Sequence, residues 1–60
     1  MTKDQMCILV DVIDVATEFN WSNFVFGIDE RGLSAKEVCD VVNGLCEQVG
    51  RAPIMEESDF

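Results

Sequence analysis

This sequence predicts an all-α fold, and three observations carry the prediction. Helix-opening signatures occur twice, at Thr2-Lys3-Asp4-Gln5 and at Ser34-Ala35-Lys36-Glu37. In each, a hydroxyl residue is followed three positions later by a side chain that can reach back to it. The acids Asp4, Asp11, Asp14 and Glu18 stand three, seven and ten apart, so they point together on a helix; on a strand, Asp11 and Asp14 would face opposite sides. Val38, Val41, Val42, Leu45 and Val49 repeat at three and four, the spacing of one helical face. Two main helices are expected, at about residues 3–19 and 35–49. An aromatic connector joins them, and dimerisation completes the helical hairpin. Residues 1–50 form one small helical domain, and residues 51–60 an acidic flexible tail.

The first helix opens at Thr2, with Asp4 suited to the positive end of the helix dipole. At about 100° per residue, its four acids and Cys7 fall on one narrow arc. Ile8, Leu9, Val12, Ile13, Val15, Ala16 and Phe19 fill the wide remainder, with Met6 and Val10 towards its far edge. Five β-branched residues between Ile8 and Val15 weigh against a helix, but the acid spacing outweighs them. Asn20 is read as the left-handed end of the helix.

The connector carries Trp21, Phe24 and Phe26. It suits either a short helix capped by Ser22 or a strand from Phe24 to Ile28, and periodicity does not decide over so few residues. Asp29-Glu30-Arg31-Gly32 reads as a turn. The second main helix runs from Ser34 to a stop at Gly50. Asn43-Gly44 can turn a hairpin, but the flanking segments do not alternate as strands do, so the helix is kept. Gly44 either admits a close neighbour or is simply tolerated, and tolerance is the reading taken. Beyond Gly50, Pro53 bars further helix, and the end is short and acidic.

Composition removes several chemistries. The 60 residues carry 12 Asp and Glu against 4 Lys and Arg, with no His, for a net charge of −8. Ser-His and Cys-His hydrolase sites and His-bearing zinc sites are therefore excluded. Direct nucleic-acid binding is not expected, because it depends on Lys and Arg displacing counterions. Nor is a membrane partner, since anionic lipid repels such a chain. Asp11 and Asp14 could form a metal or acid–base pair, but they lie on the polar face of their helix and read as solvated. Cys39 and Cys46 share a face but stand about 10 Å apart in rise, too far for one metal. The glycines form no phosphate-binding pattern. No catalytic residue, metal or cofactor is expected. The three cysteines and the lack of a leader-like opening fit a reducing, cytoplasmic setting.

Size and grease together suggest association. Chains below roughly 70–80 residues usually need a disulfide, a metal or a partner. The first helix is apolar well beyond the stripe that ordinary packing uses. Self-association as a homodimer is expected through Ile8, Leu9, Val12, Ile13, Ala16, Val41 and Leu45. Partner binding is expected through Asp4, Asp11, Asp14 and Glu18 and the aromatics Trp21, Phe24 and Phe26. The aromatics suit either a small core or an interface. The predicted function is a small acidic, non-enzymatic interaction protein, an inhibitor or regulator of another protein with a basic surface. That partner could be a nucleic-acid-handling protein, with the acids imitating a phosphate row. Virus- and plasmid-encoded acidic proteins offer an analogy of class for this behaviour, not of motif. The alternative is a structural oligomerisation module or small subunit of a larger complex.

Overall fold

Both expected capping boxes close. Thr2 Oγ1 accepts the Gln5 amide at 3.1 Å, while Gln5 Oε1 accepts the Thr2 amide at 2.8 Å. Ser34 and Glu37 repeat the exchange at 3.1 and 3.3 Å. These caps satisfy amides that a helix start leaves without partners. The computed structural model, which describes all 60 residues, contains three α-helices and no strand. They are α1 (Lys3–Phe19), α2 (Trp21–Glu30) and α3 (Ala35–Gln48). A 3₁₀ turn follows at Glu57–Asp59.

The aromatic connector is a full helix, so the architecture is a three-helix arrangement and not a two-helix hairpin. Its start is set by Asn20, whose Oδ1 accepts the Asn23 amide at 3.2 Å. Asn20 sits at φ −148° and ψ 74°, so it caps the next helix and does not end α1 in the left-handed region. At the other end of α2, Leu33 N–H reaches the Ile28 carbonyl and Gly32 N–H the Asp29 carbonyl, each at 3.1 Å. This Schellman closure requires a left-handed residue, and Gly32 supplies it at φ 70°. The same closure ends α3: Arg51 N–H bonds the Cys46 carbonyl at 2.8 Å and Gly50 N–H the Glu47 carbonyl at 3.1 Å. Gly50, at φ 74°, makes that second reversal.

The segment 51–60, expected as a flexible tail, packs against the helices. Met55 is buried, and Ile54 and Phe60 pack on the same core. Asn43 holds the segment in place. Its Oδ1 accepts the Ile54 and Met55 amides at 3.2 and 3.4 Å, and its Nδ2 donates to the Met55 carbonyl at 2.9 Å. Phe60 stands edge-on to Trp21 at 5.0 Å between ring centroids, with Phe24 at 6.3 Å. The helix has already ended at Gly50, and the chain through Pro53 stays on the body because Ile54, Met55 and Phe60 cover apolar surface there.

The core is small. Only nine of the 60 residues are buried, and only Val10 and Cys46 are fully enclosed. Ile28, Val38, Cys39, Val42 and Met55 form its main cluster, with Ile13, Phe24, Ile54 and Phe60 packed against it. Thr17 is the one buried polar residue, and its Oγ1 donates to the Asp14 carbonyl at 3.0 Å. No helix is long and apolar enough to cross a membrane.

Candidate functional site

The wide apolar arc of α1 divides into two faces. Met6, Val10, Ile13 and Thr17 follow one another at four, three and four positions and turn inward, with Val10 and Thr17 buried. Ile8, Val12, Val15 and Phe19 follow the same rhythm on another side and lie bare. Their exposures are 62%, 58%, 65% and 90%. Together with Ala16 and the edge of Asp11 they line one shallow, apolar depression. A β-branched or aromatic residue left this open four times on one helix face is unusual for a free-standing domain, and contiguous patches of this kind mark docking surfaces.

The acids border this face unequally. Asp4, Asp11 and Glu18 are exposed, while Asp14 is half-buried beside Thr17. Asp11 is engaged: Arg51 Nη1 donates to its carboxylate at 2.5 Å and to the Cys7 carbonyl at 3.4 Å. The carboxylate holds the Arg51 guanidinium above its already high ordinary pKa. The only other ion pair is Lys36–Asp40 on α3, so Asp4 and Glu18 carry no ion-pair partner.

The residues expected to serve self-association are separated by the fold. Ile8, Val12 and Ala16 share the bare face of α1. Ile13 packs against the core, and Leu9 and Leu45 are half-buried. Val41 is exposed on α3, where it lines a second apolar hollow with Ile13, Phe24, Leu33 and Val38. Among the aromatics, Trp21 and Phe24 stack with each other at 5.4 Å and with Phe60, so they serve the interior; Phe26 remains exposed. The expected sets omit Val15 and Phe19 on the outer face and Thr17 on the inner one. The signal that finds them is the four-three-four rhythm, counted separately from Met6 and from Ile8.

All three cysteines are free thiols; Cys39 and Cys46 are buried and Cys7 half-buried. Burial pushes the Cys39 thiol above its ordinary pKa, and the charges of Glu57, Asp59, Asp40 and Glu56 push the same way. No group of three or more Cys, Asp and Glu side chains converges as metal ligands would. The chain matches no protein family, no curated protein and no solved structure. The bare face of α1 is the largest apolar surface that the core leaves uncovered on one side of a helix.

Proposed function

We propose that this chain is a small acidic, non-enzymatic interaction protein that acts by seating the outer face of α1 on another protein, as its inhibitor or regulator. The observation that carries this reading is the solvent exposure of Ile8, Val12, Val15 and Phe19 on a single helix side. Covering such a face removes apolar surface from water and favours association. The net charge of −8 adds attraction towards a basic surface and repulsion from an acidic one. A nucleic-acid-handling protein is the partner class that this charge suits. Imitation of a phosphate row is the weaker part of that idea, because Asp11 is bound to Arg51 and Asp14 is half-buried.

The second reading is a structural module, a homodimer or a small subunit of a larger assembly. It draws on the same bare face and on the small core. The two readings part over salt. A grip guided by charge weakens as salt screens it, whereas purely apolar seating barely changes.

The test uses the chain as bait beside a Val12→Gln, Phe19→Gln variant. Both substitutions are at exposed sites and keep good helix formers, so the circular dichroism melt should be unchanged. Loss of the captured protein by the variant alone supports docking through α1. Equal capture by both baits overturns it.

A further inference from the structure

The exposed series Ile8, Val12, Val15, Phe19 has the four-three-four spacing of a coiled-coil seam, the a and d positions of a heptad. In that register Val12 and Phe19 are a positions, and Ile8 and Val15 are d positions. Asp4, Asp11 and Glu18 then all take the g position, on one edge of the seam. The opposite edge, the e positions, holds Leu9 and Ala16. One edge of the seam therefore holds Asp4 and Glu18 at its ends with the Asp11–Arg51 pair between them, and the other is uncharged. Asp4 and Glu18, the two acids without an ion-pair partner, bracket it about 21 Å apart along the helix.

This pattern discriminates between occupants. A second copy packed antiparallel sets g against g, acid against acid. Packed parallel, it sets Asp4 against Leu9 and Asp11 against Ala16, which offer no counter-charge. In both cases two bodies of charge −8 are brought together. An amphipathic helix with an apolar seam and Lys or Arg on the facing edge covers the same apolar residues and also pairs Asp4 and Glu18. Charges at these flanking positions set partner choice in coiled coils. We propose that the outer face of α1 receives a partner helix of this kind, a basic amphipathic helix seated in coiled-coil fashion. The proposal rests on the docking reading above and specifies the chemistry of the partner.

The experiment measures binding of reduced full-length chain to two synthetic peptides. Both carry three heptads with Ile and Leu at the seam. One has Lys at the flanking positions, and its twin has Gln there. The Lys peptide should bind at least about tenfold tighter at low salt. Added salt should shrink that margin, and so should an Asp4→Asn, Glu18→Gln variant, while Val12→Gln weakens both peptides. Equal affinity for the twins, with Val12→Gln still weakening both, overturns the basic partner and leaves docking through α1 standing. If neither peptide binds, the proposal is overturned. Sedimentation of the chain alone as a dimer that Val12→Gln dissociates also overturns it, in favour of a second copy. Failure of the docking reading itself shows separately, as protein capture that Val12→Gln, Phe19→Gln leaves intact.

Discussion

Val10 and Val12 are the same residue two positions apart on one helix, and the fold treats them in opposite ways. Val10 is fully enclosed between α1 and its neighbours, whereas Val12 is 58% exposed. The inner side of α1 needs Met6, Val10 and Ile13 for the fold; the outer side carries four more large apolar residues that the fold leaves exposed. Local preference does not separate the two sides, since both are β-branched and both repeat at four and three. Only the placement of α2, α3 and residues 51–60 does. Apolar character beyond what a small core consumes is thus what the proposed docking reading builds on.

The largest expected effect breaks this symmetry directly. Val10→Ala should destabilise the chain by about 2 kcal/mol, from lost burial and the cavity left behind. In a domain of this size that is close to half of the stability, and it should lower the melting temperature by roughly 10 °C. Val12→Ala should stay within about 0.5 kcal/mol of wild type, because it loses little packing and Ala favours helix over Val. Urea denaturation of the pair measures the contrast, and equal losses would show that α1 has no spare face.

Asn43→Ala comes next. It strips the Ile54 and Met55 amides and the Met55 carbonyl of their partner. A loss of about 1–2 kcal/mol is expected, with faster hydrogen exchange confined first to residues 51–60. Exchange that stays uniform would mean the C-terminal segment is not separately held. Gly44→Ala should act in the other direction. Apart from its chain neighbours and its own helix backbone, nothing lies within 4 Å of where its Cβ would stand, so the substitution should add about 1 kcal/mol by helix propensity alone. A loss there would reveal a neighbour that approaches α3 in solution.

The smallest effect is in pH. The folded chain holds the Cys39 thiol above its ordinary pKa of 9.0, so the buried neutral form is favoured. Stability should be level below about pH 9 on this account and fall as pH rises through the folded-state value. Cys39→Ala should flatten that part of the profile. Outer-face substitutions should leave it unchanged, which ties the effect to the interior.

Much of this was legible from local chemistry. The capping boxes at Thr2 and Ser34, the stop at Gly50 and the extents of α1 and α3 are each decided within a few residues, so spacing reveals them. The helical state of Trp21–Glu30 was not legible, because the cap that opens it is Asn20, a residue that can equally close the preceding helix. The packing of residues 51–60 was hidden for a different reason. It depends on Asn43, eleven and twelve residues away from the amides it binds, and on Trp21 meeting Phe60. Such contacts leave no periodic trace. The candidate face was legible as excess and not as location: the arc was visibly too wide, but which part of it faced outward depended on where α2 and α3 settled.

The chain contains one Trp and no Tyr, and that Trp21 stands against Phe24 and Phe60, beside Asp14, Thr17, Glu18 and Ile54. Its ultraviolet emission therefore comes from the joint between α2 and the C-terminal residues. Unfolding, or release of Phe60, should redden that light, whereas a ligand confined to Ile8 and Val12, on the first turns of α1, should leave its colour unchanged. The molecule thus carries a built-in optical gauge of its own integrity, seated where α2 meets the C-terminal residues.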